Sequence, residues 1–254
     1  MIRKRQWHVR NKWKRHLGLA GRRPISRHLP PTRLLGPQTL RQFLRQYRII
    51  YVKPVFGSYG NNIIRIRKVR GSYEVQRESR IERVPPERIV QTIYRHVRRR
   101  PYMIQRGIPL ITVKGHPVDF RVLLLRPYNR WEVMGTMGKV ATGNRIVTNY
   151  NHGGRPIRLR DALIQAGWSA DEVAVTRERM HRICLAAARI FNSRYKHCRR
   201  LGIDLAIDRN RQIWILEVNT NPYYELYRFH EDRTLYRKIH RYMQQIRRIQ
   251  TDRR

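Results

Sequence analysis

Two apolar runs flanking a short polar turn constrain this chain more than any other stretch. Leu201-Gly202-Ile203-Asp204-Leu205-Ala206-Ile207 precedes the turn Asp208-Arg209-Asn210-Arg211, and Gln212-Ile213-Trp214-Ile215-Leu216-Glu217-Val218-Asn219 follows it. Strand spacing on both sides of such a turn predicts an antiparallel hairpin. Glu217 and Asn219 are two residues apart, so they share a face, and Asp204 can lie opposite them. Two carboxylates and an amide oxygen among Ile, Leu and Val repel, and are costly to bury unless a cation neutralises them. Oxygen-only donors point to a hard divalent ion, Mg²⁺ before Ca²⁺, with water and phosphate completing the shell. On this logic Glu217→Gln leaves the ligand-free fold as stable as before, or more so. A half-exposed hairpin with solvated polar residues is the competing expectation.

The charge of the chain bears on its partners. Its 254 residues carry 56 Lys and Arg against 17 Asp and Glu, a formal net charge of +39. Nine of the basic residues are Lys and 47 are Arg, spread through every segment. Such a field favours polyanions, including non-specific binding of nucleic acid, although an Arg-rich composition with no partner gives the same count. At 41% apolar the chain is no disordered tail, and its length suits one large domain or two interlocked subdomains. Cys184 and Cys198 have no metal-type spacing and are expected as reduced thiols in a reducing compartment. No run approaches the roughly 18 apolar residues of a membrane span. The basic first 20 residues are followed by no secretory-type apolar stretch, and no internal repeat is visible.

Taken in order, residues 1–36 have too few apolar side chains to form a domain and are expected to pack on later elements. Leu40, Phe43, Leu44 and Tyr47 predict a helix from Pro37 to Tyr47. A strand from Ile49 to Pro54 carries Lys53 at its end, and the Gly/Ser/Asn turn from Phe56 to Asn62 leads into a second strand, Ile63 to Arg67. Glycine and Asn tolerate positive φ and leave backbone N–H groups free to face an anion, so this loop can cradle phosphate, although a plain hairpin turn uses the same residues. It is not a Walker A loop, because the lysine precedes the glycines. In so Arg-biased a chain, a Lys on a strand edge suggests that a compact ammonium is needed.

A helix at 86–99 and a strand at 102–105 precede Arg106-Gly107-Ile108-Pro109, which reads as a hinge. Strands follow at 118–126, with Asp119 and Arg121 on one face, and at 131–141, with Lys139 near its end. The amide-rich stretch from Val147 to Gly154 reads best as a connection. Helices are expected at 159–166 and 171–195, the second opened by Ser169 and Glu172 as a capping box, with Ile183, Ala186, Ala187 and Ile190 as its apolar stripe. A last basic helix at 229–250 carries Leu235, Ile239, Met243 and Ile246 on one side.

Lys53 with its loop, Gln105 at the hinge, Asp119-x-Arg121, Lys139, Asn149 with Gly153-Gly154, then Asp204 and Glu217-Val218-Asn219 occur in the order of ATP-grasp enzymes. From about Lys12 to Pro222 the chain resembles the YheC/YheD-type endospore coat-associated ATP-grasp proteins, with RimK-like amino-acid ligases more distant. The resemblance implies an α+β fold, two subdomains with ATP between them, without the usual full N-terminal pre-ATP-grasp domain. It divides the chain into an N-terminal segment at 1–36, a lid subdomain at 37–106 and a large subdomain at 107–254. It implies that Lys53 and Lys12 bind phosphates, with Lys14 a weaker candidate than Lys12. Gly57, Ser58, Gly60 and Asn61 would close over those phosphates, with Asn62 in place of the loop's third glycine. Gln105 and the backbone of Arg106, Gly107 and Ile108 would hold adenine. Arg121, Lys139 and Asn149 would face the γ-phosphate or acyl phosphate, and Asp204, Glu217 and Asn219 would hold Mg²⁺. The implied activity is carboxylate–amine ligation through an acyl phosphate, on an anionic carboxylate and an amine acceptor, in the cytoplasm or the spore. The alternative is a non-catalytic, basic, nucleotide- or polyanion-binding structural protein of the spore coat.

Overall fold

The computed structural model describes residues 9–57, 60–97, 100–142 and 154–251. Ser58, Asn149 and Gly153 lie outside the described residues, as does most of the amide-rich connection.

Helix α1 (Lys12–Leu17) is capped by Asn11, whose side chain accepts from the Lys14 N–H at 2.8 Å. Then come β1 (Thr32–Leu34), α2 (Pro37–Gln46), β2 (Ile49–Pro54), β3 (Ile64–Val69), β4 (Ser72–Arg77), β5 (Arg80–Val84), α3 (Ile89–Val97) and β6 (Tyr102–Arg106). These strands form one antiparallel sheet in the order β1-β6-β2-β3-β4-β5. Helices α2 and α3 cover one face, burying Leu40, Phe43, Ile89 and Ile93 against Ile50, Val52 and Ile66. Alternation along the strands sends Lys53 and Gln105 to the opposite face, and the register pairs Tyr51 with Gln105 and Lys53 with Met103. The α3 helix starts later than the expected residue 86, because Pro85 and Pro86 first make a turn in which the Arg88 N–H donates to the Pro85 carbonyl. Strands β1, β4 and β5 were not expected from the sequence.

The chain crosses to a second sheet at the hinge, where the Gly107 N–H donates to Ile49 O at 2.8 Å and the Ile111 N–H to Ile207 O at 2.9 Å. The second half comprises β7 (Thr112–Val113), β8 (His116–Leu125), β9 (Glu132–Val140), β10 (Arg155–Arg158), α4 (Leu159–Gln165), α5 (Ala170–Arg194), β11 (Arg200–Ile207), β12 (Ile213–Asn219) and α6 (Leu235–Thr251). Its sheet runs β10-β9-β8-β11-β12, with β7 paired to β8. One face, with Phe120, Val122, Leu201, Ile203 and Leu205, packs on α4 and α5. Part of the other face, with Leu123, Leu125 and Met137, is covered by α6 through Leu235, Ile239, Met243 and Ile246. The rest of that face carries Asp119, Arg121, Lys139 and Asp204.

In the second half, two helices differ from expectation. The buried stripe of α5 is Val173, Thr176, Met180, Cys184, Ala187 and Phe191, whereas Ile183, Ala186 and Ile190 are only half-buried, so the stripe is rotated from the expected one. Helix α6 begins at Leu235, not 229, because a 3-10 turn (Glu225–Phe229) and the Asp232 side chain, which accepts from the Thr234 N–H and hydroxyl, intervene. The capping box at Ser169 and Glu172 is present as expected.

The N-terminal segment packs on both halves. The Val9 N–H donates to Thr220 Oγ1 at 2.9 Å and the Lys12 N–H to Val55 O at 2.8 Å, while β1 adds a strand beside β6. Cys184 and Cys198 are buried free thiols. Among the described residues no helix is long and apolar enough to cross a membrane.

Candidate active site

Register brings the predicted residues together. Asp204 on β11 pairs with Glu217 on β12 on one side and with Arg121 on β8 on the other, and β8 pairs Asp119 with Lys139 on β9. Arg121 grips Asp204 in a fork, Nε to Oδ1 at 2.6 Å and a terminal nitrogen to Oδ2 at 2.7 Å. Lys139 Nζ lies 3.0 Å from both Asp204 Oδ1 and Asp119 Oδ1. The Asn219 amide donates to Asp204 Oδ2 at 3.0 Å. Gly202 makes the crossing possible, because a Cβ there would meet Pro222 Cβ at 2.7 Å and the Arg121 side chain at 3.1 Å. Tyr227 ties the floor together, its hydroxyl donating to the Arg121 carbonyl at 2.8 Å.

Across the cleft, Lys53 Nζ donates to Gln105 Oε1 at 2.6 Å, and Gln105 Nε2 donates to Thr32 Oγ1 at 3.1 Å. The Gln105 side chain is therefore engaged in holding Lys53, a partner the sequence reading had not given it. Helix α1 supplies two more cations: Lys12 Nζ lies 3.6 Å from Glu217 Oε2, and Arg15 donates to Glu217 Oε1 at 2.7 Å and to Asn219 Oδ1 at 3.3 Å. Asp119, Asp204 and Glu217 thus meet Lys12, Arg15, Lys53, Arg121 and Lys139, five positive groups against three negative. The expectation that two bare carboxylates repel in the ligand-free fold is overturned here. The neutralising cations are the chain's own side chains.

Burial and charge set the ionisation of each group. Burial alone would raise the Asp204 carboxyl, but Arg121 and then Lys139 hold it well below the usual carboxylate range. Glu217 is likewise lowered, burial being outweighed by Lys12 and Arg15. Lys139 is buried yet raised, because Asp119 and Asp204 favour its charge. Lys53 goes the other way: burial, with repulsion from Lys12, brings it down to about 8 despite the pull of Glu217. His16 beside it falls to about 4, from burial and the charges of Arg33 and Lys53.

Lys12, Arg15, Lys53 and Glu217 line the charged end of a narrow cleft of about 30 Å³, continuous with solvent, whose remaining wall includes Leu19, Leu29, Met103 and Ile215. Among the described residues of the stretch after β2, Gly57, Gly60 and Asn62 have positive φ, at 130°, 78° and 59°. At the hinge, the N–H groups of Arg106 and Gly107 donate to Pro31 O and Ile49 O, and the Arg106 guanidinium lies over the Tyr47 and Trp214 rings. Asp208 serves the turn: Oδ1 accepts from the Asn210 and Gln212 N–H groups and Oδ2 from Trp214 Nε1. Arg15, Thr32 and Tyr227 escaped the sequence reading. Only Arg15 carried a signal, its i+3 spacing from Lys12 on one helix face.

Two antiparallel sheets gripping such a cleft define the ATP-grasp fold. Solved structures with this fold include D-cycloserine synthetase DcsG, 15% identical, covering 92% of this chain and 70% of that one with a TM-score of 0.55. The N5-carboxyaminoimidazole synthase of Aspergillus clavatus, solved with ADP and 5-aminoimidazole ribonucleotide, is 11% identical, covering 85% of this chain and 45% of its own with a TM-score of 0.53. Within that class the chain belongs to the YheC/D like ATP-grasp family, whose profile matches residues 2–246. It is similar to the endospore coat-associated proteins YheD (24% identical, 84% of this chain, 48% of that protein) and YheC (20%, 78% and 56%) of Bacillus subtilis strain 168. The chain spans about half the length of these curated relatives.

Proposed function

We propose that this chain binds ATP with Mg²⁺ between its two sheets and acts as a spore-associated carboxylate–amine ligase through an acyl phosphate. The observation that carries the reading is a charge cluster of five cations and three carboxylates, of which Lys12, Arg15, Lys53 and a single carboxylate, Glu217, line the cleft, a charge balance that calls for a polyanionic ligand. Lys53 and Lys12 take the phosphates of the bound nucleotide, with the loop containing Gly57, Ser58, Gly60 and Asn61 over them. Gln105 and Thr32 position Lys53, and the hinge groups of Arg106, Gly107 and Ile108 not already bonded to Pro31 and Ile49 face the base. Arg121 and Lys139, with Asn149, receive the transferring phosphoryl group, giving up part of their contact with Asp204 to do so. The boundaries at 36 and 106 then separate the N-terminal segment and the lid from the large subdomain.

The oxygen donors fit a hard divalent cation. Glu217 and Asn219 converge on one positive group, the Arg15 guanidinium, and Asp204 stands opposite Glu217. Mg²⁺ held there would neutralise charge developing on the phosphoryl oxygens. The substrate carboxylate attacks the γ-phosphate and an amine then displaces phosphate, so no protein nucleophile is needed. The test is ADP release by purified protein given ATP and mixtures of amino acids and peptides: stimulated release supports ligation. A second reading, nucleotide binding without turnover, is favoured by one observation. Asp204 already binds Arg121, Lys139 and Asn219, so this carboxylate is engaged by the chain's own side chains. Nucleotide binding with no acceptor-stimulated ADP release would select it.

A further inference from the structure

The sheet of the second half carries a groove at its edge that shares no lining residue with the cleft between the two sheets. β10 pairs with β9 only from Met137 to Val140, because the chain turns into α4 at Leu159, so among the described residues the β9 edge from Glu132 to Thr136 has no strand beside it. The groove opens in that gap, bounded by the start of α4, one face of α5 and the segment after the 3-10 turn. It measures about 560 Å³, within the range of roughly 300–1,000 Å³ that holds small organic ligands.

Arg158, Arg160 and Arg177 stand around the groove, all exposed, and Glu231 is its one carboxylate. Among the described residues none of these four makes an ion pair within 4.0 Å. Beneath the arginines the wall is polar but uncharged. Thr136 Oγ1 and His181 Nε2 lie 3.0 Å apart, and the Asp232 N–H donates to His230 Nδ1 at 3.1 Å, which leaves the His230 ring proton on Nε2. Burial lowers the pKa of both imidazoles, so each is a neutral hydrogen-bonding group. The His230 ring lies over Gly135, where a Cβ would stand 3.4 Å from its Cδ2. Met134, Leu159 and Val173 supply a buried apolar floor.

We infer that this groove is a second anion site, for a small organic molecule that carries two or more carboxylate or phosphate groups on an apolar body. Three guanidiniums around one concavity repel one another and meet no carboxylate in bonding range, a distribution that a multivalent anion relieves, and their planar forks match carboxylate and phosphate alike. The imidazoles and Thr136 bond the polar atoms nearest the strand, and the apolar floor takes the carbon skeleton. Glu231 is the one group that the anion must avoid. The site is independent of nucleotide binding in the cleft, so failure of either leaves the other intact.

The test is calorimetric titration of citrate, phenyl phosphate and inorganic phosphate into the full chain at an ionic strength of about 0.15 M, where exposed charges more than about 8 Å away are screened. Citrate or phenyl phosphate is expected to bind saturably at one equivalent, and the tighter of the two shows whether carboxylate or phosphate is the preferred head group. Inorganic phosphate should bind about tenfold more weakly, because it gains nothing from the apolar floor. Arg158→Gln and Arg177→Gln should each lower affinity about tenfold, the loss of one charge-assisted contact. Ala174→Trp, at an exposed α5 position that lines the groove, adds bulk without changing charge and should abolish binding in a folded protein. Arg189→Gln removes an exposed charge from the same helix outside the groove and should change affinity less than about twofold. Absence of saturable binding by both organic anions overturns the inference. So does an equal loss in Arg189→Gln, or undiminished binding by Ala174→Trp, since either assigns the anion to the diffuse charge of the surface. Inorganic phosphate binding as tightly as the organic anions overturns the apolar body.

Discussion

Lys53 is a lysine whose charge is available only over part of the pH range. Burial brings its pKa from 10.5 down to about 8 in the ligand-free protein. A bound polyphosphate favours the charged form, so ATP affinity should be full below pH 8 and decline as pH rises through about 8. Titration at several pH values checks this, and the decline should vanish in Lys53→Met. The same depression affects stability with the opposite slope. Between about 8 and 10.5 the unfolded chain holds a proton that the folded chain has lost, so this group's contribution to stability rises with pH there. Asp204 and Glu217 are lowered carboxylates, so what they contribute is present above the ordinary carboxylate range and is lost as pH falls toward their folded values.

Glu217→Gln now carries an expectation opposite to the one drawn from sequence. Removing its charge leaves Lys12 and Arg15 without their carboxylate partner in a cleft that also holds Lys53. Breaking a buried pair costs about 3–5 kcal/mol, and with the Glu217 side chain 25% exposed a loss of about 2 kcal/mol is expected. Thermal or urea denaturation measures it, and Arg15→Gln in the same chain should restore part of the loss, because the stranded cation is gone. An unchanged or raised melting temperature in the single variant would contradict the pairing.

At the scale of elements, the β11–β12 hairpin depends on how closely β8 and the Pro222 turn approach it. Gly202→Ala forces a Cβ to within 2.7 Å of Pro222 and 3.1 Å of Arg121. Overpacking of this kind costs about 1–3 kcal/mol, and displacement of the Arg121 fork should weaken nucleotide binding as well. Full stability together with full affinity would show that the approach is not tight. This hairpin was legible in sequence, because Ile203, Leu205, Ile207 and Ile213 alternate around a turn held by Asp208. Helix α2 was legible for the same reason at its own period. Strands β4 and β5 were not: Glu74, Arg77, Arg80 and Glu82 give them a solvated character, and it is the ladder from β3, with an Arg67–Glu74 ion pair, that makes them strands. In α5 the alanines and isoleucines supply apolar side chains on more than one face, so packing against Phe120 and Val122, invisible in sequence, selects which face is buried. In the site, Lys53, Asp204 and Glu217 stood out as charges inside strands. Arg15 did not, because its one signal, the i+3 spacing from Lys12, has little contrast among 47 arginines.

For the molecule as a whole, Lys12, Arg15 and Lys53 against the single carboxylate of Glu217 give the cleft an anion preference of its own, distinct from the +39 spread over the chain. The two should separate by salt. Binding of random duplex through the diffuse charge should weaken steeply as salt rises, with no sequence preference, because it depends on counterion release. Nucleotide in the partly buried cleft is screened less and should respond weakly. Tight, sequence-selective duplex binding at high salt would instead indicate a dedicated nucleic-acid surface.

The central claim is that ATP occupies the cleft between the two sheets with Lys53 on its phosphates. Calorimetric titration of Mg-ATP into wild type and Lys53→Met at pH 7 tests it most directly. The substitution removes a charge-assisted contact that Gln105 and Thr32 hold in place, so affinity should fall about tenfold to a hundredfold. Equal affinity in the two proteins, both folded, would place the nucleotide elsewhere and contradict the account.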